Sequence, residues 1–153
     1  MSAQLMAALP PERSTYTLPF HTIGVEFAGP FLLKTSTLRR VYHSKAFVCV
    51  FVCFSTKAIH QEVCSDLTTG AFKAAFARFV GRRGIPHKIM SDKGKTFIGA
   101  QRSLQRELSS FLEEVSSKTT TDYAIHGLIW QFIPPYATHM EGLWEAPAAA
   151  VAA

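Results

Sequence analysis

Three acidic residues have the type and the placement to hold divalent cations: Glu26, Asp92 and Glu145. Two-metal phosphoryl transfer needs carboxylates from separate elements that converge on cations ~3.5–4 Å apart, clamping both the attacking and the leaving oxygen. Oxygen donors that leave room for retained waters select Mg²⁺ or Mn²⁺ and not zinc. Asp92 stands in the stretch Ile85-Pro-His-Lys-Ile-Met-Ser-Asp-Lys-Gly-Lys-Thr-Phe-Ile-Gly-Ala100, at the end of a short apolar run. On local pattern alone it reads first as the cap of the turn before Gly94. A strand end also fixes a side chain better than a loop does, so metal chemistry stays open there. Lys93 and Lys95 flank the turn and suit contact with a phosphate backbone, with a solvated lysine turn as the rival reading. Glu62, Asp66 and Glu141 are further acidic candidates, although surface Glu is usually just solvated.

The elements that must carry these residues follow from the period of the apolar positions. Ile23, Val25 and Phe27 alternate with Gly24, Glu26 and Ala28, the signature of a strand, which continues after Gly29-Pro30 through Phe31 to Lys34. Residues 35–44 read as a hairpin loop. Ala46 to Phe54 is apolar on both faces and belongs in the middle of a covered sheet. After a short turn, Ala58 to Cys64 forms a third strand with His60 and Glu62 on its more polar face, which predicts an antiparallel meander. The period then becomes helical: Ala71, Phe72, Ala75, Phe76, Phe79 and Val80 recur at three and four, behind a cap at Asp66 or Thr68. Gly81-Arg-Arg-Gly84 and Pro86 end that helix. A strand follows from Lys88 to Asp92, then a helix from about Gly99 to Glu114, a Ser/Thr-rich link, a short helix over 122–128, a strand over Ile129–Ile133, and a closing helix from His139 to Ala146 that breaks at Pro147. The expected order is three strands, helix, strand, helix, short helix, strand, helix.

The chain has 153 residues, 48% of them hydrophobic and 18% charged, which fits one globular domain with a real core. Residues 1–18 read as a lead-in, 19–146 as the domain, and 147–153 as a low-complexity tail. No run approaches the ~20 apolar residues a membrane helix needs, and the N-terminus lacks a signal-peptide pattern. A net charge of +5 permits a nucleic-acid partner. Cys49, Cys53 and Cys64 read as free buried thiols of a reducing compartment, since their spacing suits no zinc site. His60 reads as a hydrogen-bonded strand residue, Trp144 as core, and Arg82 and Arg83 either as phosphate contacts or as complements to a helix C-terminus.

A resemblance sharpens these readings. The segments Thr22-Ile-Gly-Val-Glu-Phe-Ala-Gly-Pro-Phe31, Phe51 to Glu62, Ser65 to Thr69, Arg82-Arg-Gly-Ile-Pro86, Ser91 to Ala100, Phe132-Ile-Pro-Pro135 and Gly142-Leu-Trp-Glu-Ala146 resemble the integrase catalytic core of BEL/Pao-type LTR retrotransposons. The motifs keep that family's order over roughly residues 4–146. The resemblance implies an α/β, RNase H-like fold: a mixed five-stranded sheet, with a meander of three strands plus two more, flanked by helices. It implies a DDE polynucleotidyl transferase whose three carboxylates fall on Glu26, Asp92 and Glu145, binding Mg²⁺ or Mn²⁺ to process and join DNA ends. DNA, a second copy of the chain as a homodimer partner, and a nuclear location are implied as well, with neither a membrane nor a small-molecule substrate. The chain departs from that family in carrying Glu26 where Asp is usual, lysines at 93 and 95 where asparagines are usual, and Pro147 within the continuing helix. One extra methylene moves a carboxylate by over ~1 Å, a misplacement worth about a hundredfold in rate. The rival expectations are a catalytically dead nucleic-acid-binding module, an RNase H-type nuclease, and a remnant with no selected role.

Overall fold

The computed structural model describes residues 11–34, 43–116 and 128–133, and Ala150. A single turn of helix, α1 (Pro11–Ser14), lies within the lead-in. Strands β1 (Thr22–Lys34), β2 (His43–Cys53) and β3 (Ile59–Cys64) follow, then helix α2 (Thr69–Arg83), strand β4 (Lys88–Ser91), helix α3 (Lys95–Ser116) and strand β5 (Ile129–Phe132). The expected helices over 122–128 and 139–146, together with Trp144, Glu145 and Pro147, lie outside the described residues.

The five strands form one mixed sheet in the order β3-β2-β1-β4-β5. The meander is as expected: β1 pairs antiparallel with β2, and β2 antiparallel with β3. β4 then joins the far side of β1 in parallel, and β5 joins β4 in parallel. β2 starts three residues earlier than its apolar run, because His43, Ser44 and Lys45 extend the ladder to Lys34, Leu33 and Leu32 although they are exposed. The register of β1 against β2 shifts between Ala28 and Phe31, at a cis Gly29-Pro30 bond. Gly29 has φ +123°, a conformation that favours glycine, and a Cβ there would meet the Ala46 carbonyl at 3.2 Å.

The strands' alternation gives the sheet two apolar faces. On one, Ile23, Val25, Phe51 and Ile89 meet Phe72, Ala75, Phe76 and Phe79 of α2 and Phe97 and Ala100 of α3. This core is largely aromatic, with Phe51 stacked on Phe79 at 4.5 Å and Phe27 on Phe97 at 5.2 Å. The other face carries Ala28, Val50, Val52, Phe54, Met90 and Ile133, also buried. β2 is thus covered on both sides, as its unbroken apolar run requires.

α2 begins where the Thr68 hydroxyl accepts from the Ala71 N–H, while Asp66 braces that cap by accepting from the Thr68 N–H at 2.9 Å. Both suggested cap residues therefore take part. The helix runs through Gly81 to Arg83 and ends at Gly84 with φ +86°, where the Gly84 N–H bonds to the Val80 carbonyl. α3 starts at Lys95, four residues before the expected start near Gly99. Phe97 in its first turn is buried with Ala100 in the core, and the Ile98 N–H bonds to the Gly94 carbonyl at 3.1 Å. Among the described residues no helix is long and apolar enough to cross a membrane.

Candidate active site

Glu26 and Asp92 come from adjacent parallel strands. The β1–β4 ladder pairs Thr22 with Lys88, Ile23 with Ile89, and Gly24 with Met90. Glu26 is two residues beyond Gly24, and Asp92 two residues beyond Met90, so the two acids occupy equal offsets from the last paired residues. The two-residue period puts Glu26 on the face of Gly24, and Asp92 follows one residue past the end of β4, two beyond Met90. That face is the one carrying Met90 and Val50, and Val50 is the partner of Glu26 in β2. Sixty-six residues separate the two carboxylates in sequence, and only the parallel pairing of β4 with β1 makes them neighbours in register.

Asp92 is exposed just past the end of β4 and is held from both sides. The Gly94 N–H donates to its Oδ1 at 3.1 Å, so the turn-cap geometry is present. Gly94 also leaves room for the carboxylate: a Cβ there would lie 3.1 Å from Oδ1 and 3.5 Å from Oδ2. On the other side, the fully buried Ser91 donates its hydroxyl to the Asp92 carbonyl at 3.0 Å and accepts from Trp130 Nε1 at 3.0 Å. The Ile133 N–H donates to the Ser91 carbonyl at 3.0 Å. Ser91 thereby ties the backbone that carries Asp92 to β5. Sequence reading missed this role, because the partners lie some forty residues on. Lys93 and Lys95 are exposed on either side of Gly94.

Glu26 is half-buried within β1, and its charge reaches the interior. The Cys49 thiol is pushed well up, first by burial, then by its hydrogen bond with Cys64 and the charge of that group, and further by the carboxylates of Glu26 and Glu62. Glu145 lies outside the described residues. Among the described residues no group of three or more His, Cys, Asp or Glu side chains could hold a metal ion. Two carboxylates at matching positions fit a hard cation bound through oxygen and water.

Glu62, weighed from sequence as a solvated acid, is instead buried at 6% exposure. His60 Nε2 lies 2.9 Å from its Oε1, Arg78 Nε donates to Oε2 at 2.6 Å, and Arg82 donates to Oε1. Burial raises its carboxyl, but the bonds from Arg78 and His60 and the charges of Arg82 and Arg78 outweigh this and lower it below the usual range. Arg83 stacks over the Phe20 ring at 5.1 Å. The α2 arginines are thus engaged with the protein, and the C-terminal turn of α2 is clamped to the edge strand. The signal was present in the spacing: Arg78 and Arg82 are four apart on one helix face, and His60 and Glu62 two apart on one strand face. The cysteines are free and buried, as expected. The Cys53 thiol is raised by burial but lowered more by hydrogen bonds from Ser55, Thr56 and the Phe20 N–H, reaching about 7.

Solved structures with a similar fold include retroviral integrases. A chain of the simian T-cell lymphotropic virus intasome in complex with PP2A regulatory subunit B56 gamma superposes with a TM-score of 0.58 at 15% identity, over 86% of this chain and 38% of that one. The HTLV-2 integrase catalytic core domain in complex with magnesium, in its trimeric form, gives a TM-score of 0.50 at 18% identity, over 86% of this chain and 66% of that one. The chain therefore spans less than two thirds of either neighbour. No family model matches the sequence, and no curated protein does. At these identities the likeness establishes the fold. The fold is RNase H-like, the integrase-core arrangement of a mixed five-stranded sheet with flanking helices.

Proposed function

We propose that residues 19–146 form an integrase-type catalytic core, of the kind found in BEL/Pao-type LTR retrotransposons, that acts on DNA. One observation carries the reading: the parallel β1–β4 ladder ends at Gly24 and Met90, and Glu26 and Asp92 each follow two residues beyond it, toward the carboxyl end of β4. Open α/β sheets bind ligands at such strand ends. The sequence motifs and the integrase-core fold support the same conclusion.

Glu26, Asp92 and Glu145 would hold Mg²⁺ or Mn²⁺, and the magnesium in the HTLV-2 core supports that choice. When bound, the cation supplies Lewis acidity at a phosphoryl oxygen and lowers the pKa of attacking water. The Gly94 N–H fixes Asp92 Oδ1, and each carboxylate oxygen keeps a further lone pair for a cation. Ser91 holds the Asp92 backbone against β5. Lys93 and Lys95, exposed beside the acid, meet the phosphate backbone and orient it. A second copy of the chain and a nuclear location complete the proposal.

Glu26 in place of the family's usual Asp favours a second reading, a nucleic-acid-binding module without strand transfer. Calorimetric titration of Mn²⁺ into the parent, Asp92→Ala and Glu26→Asp separates the two, run beside end-processing and strand-transfer assays on duplex DNA. The catalytic reading expects binding in the parent, its loss in Asp92→Ala, and joined DNA products. No binding in the parent, with recovery in Glu26→Asp, supports the second reading. Metal binding indifferent to Asp92→Ala refutes the assigned site, and preferential cleavage of RNA–DNA hybrids marks a nuclease instead.

A further inference from the structure

Two strands of the sheet outrun the others. The pairing of β3 with β2 ends at Cys64, opposite Phe47, and that of β4 with β1 ends at Met90, opposite Gly24. Past the register shift after Ala28, β1 and β2 pair with each other alone: Phe31 with Ala46, Leu32 with Lys45, Leu33 with Ser44 and Lys34 with His43. The root of this ribbon is anchored, because Ala46 is buried and Phe31 packs against the second apolar face. Beyond the root it adds little to the core, with Leu32 70% exposed and Lys34, His43 and Lys45 exposed as well.

Opposed residues share a face and faces alternate along a strand, so Leu32, Lys34, His43 and Lys45 form one surface. Lys34 and Lys45 stand on its diagonal, about 7–8 Å apart at the backbone. On β2 that face continues into Phe47, whereas Glu26 shares the opposite face with Val50, so these cations are not part of the carboxylate site. From Phe27 to Gln61 the chain contains no Asp or Glu, so the connection over 35–42 brings no acid of its own to the ribbon and adds Arg39 and Arg40. Among the described residues neither Lys34 nor Lys45 has an ion-pair partner. Asp66, the first acid past the end of β3, accepts from the Thr68 N–H and hydroxyl. A projecting cationic surface of this kind suits a polyanion, and a two-stranded ribbon is narrow enough for the major groove of DNA.

We infer that the ribbon of β1 and β2 beyond Ala28 is a DNA-contacting arm, with Lys34 and Lys45 on backbone phosphates. The inference rests on the reading that the domain acts on DNA, but not on its metal site. The test follows binding of a labelled DNA duplex to the full chain by fluorescence anisotropy across a salt series, with EDTA present so that no metal bridges protein and DNA. Each phosphate contact contributes about 0.9 to the slope of log K against log salt, so the double variant Lys34→Gln, Lys45→Gln should flatten the slope by about 1.8 and bind up to about sixtyfold more weakly at ~0.1 M salt. Its circular dichroism and Tm should match the parent's, since both side chains are exposed. Lys57→Gln, exposed in the turn at the other end of β2, should leave the slope unchanged. An unchanged slope in the folded double variant overturns the arm alone, and equal flattening in Lys57→Gln does the same by showing only a loss of net charge. A parent that binds no duplex overturns the arm together with the DNA reading. Phosphatidylserine vesicles whose binding is lost in the double variant while duplex binding persists mark a membrane-facing surface and overturn it too.

Discussion

Replacing Gly99 by alanine tests how closely α2 and α3 approach beside the Asp92 turn. Gly99 is the fifth residue of α3, and a Cβ built there lies 2.3 Å from Thr69 Oγ1 and 3.5 Å from Thr69 Cβ. The oxygen overlap is about 1 Å inside ordinary contact, and Thr69 cannot withdraw a long side chain, because Oγ1 sits directly on its Cβ. Rotation about χ1 relieves the clash only by giving up the bond from Thr69 Oγ1 to the Thr96 carbonyl, already long at 3.4 Å. Overpacking costs about 1–3 kcal/mol, and the weakened bond adds about 0.5 kcal/mol. Alanine's better helix propensity returns about 1 kcal/mol. The net expectation for Gly99→Ala is a destabilisation of about 1–2 kcal/mol, or roughly 2–8 °C in Tm for a domain of this size. In a Thr69→Ala background the oxygen is gone and the nearest remaining contact is ordinary, so the same substitution should stabilise by up to about 1 kcal/mol. Urea denaturation of the four proteins, followed by circular dichroism, measures the cycle. The reasoning fails if Gly99→Ala has the same sign and size in both backgrounds.

Two further outcomes follow from the clamps. Glu62 has a folded-state carboxyl pKa lowered below its unfolded value. Its contribution to stability is therefore complete above the unfolded pKa and fades as pH falls through the lowered folded value. Glu62→Ala should cost about 1–3 kcal/mol at neutral pH, since buried His60 loses its partner while Arg78 and Arg82 are exposed enough to be solvated, and should flatten the acid limb of a Tm-against-pH profile. An unchanged acid limb refutes the account. Gly94→Ala should weaken Mn²⁺ binding measured by calorimetry while leaving Tm within about 2 °C, because its Cβ presses on the exposed Asp92 carboxylate at 3.1 Å and meets the core only at an ordinary 3.5 Å contact with Phe97. A lower Tm with intact metal affinity points to a purely structural glycine.

Much of the fold was legible because it is written in local periods. The alternation around Glu26, the unbroken apolar run of β2 and the spacing of the α2 phenylalanines each specify an element through its own burial pattern. Cap and stop chemistry at Thr68 and Gly84 is equally local. α3 starts earlier than expected because Lys95 and Thr96 begin it in the turn after Asp92, ahead of Phe97, Ala100 and Leu104, whose spacing at three and four carries the apolar stripe.

The candidate site divides along the same line. Residue chemistry in sequence was enough to nominate Glu26 and Asp92, since carboxylates at strand positions are rare and hard cations need oxygen donors. It could not show that β4 joins β1 in parallel, which alone gives the two acids equal offsets from the last paired residues. Nor could it show that Ser91 is anchored by Trp130, that Glu62 is buried beneath Arg78 and Arg82, or that His21 stacks on His87. Each of those depends on which segments meet across sixteen to sixty-six residues, and chain folding settles that through total burial, which no short window of sequence records.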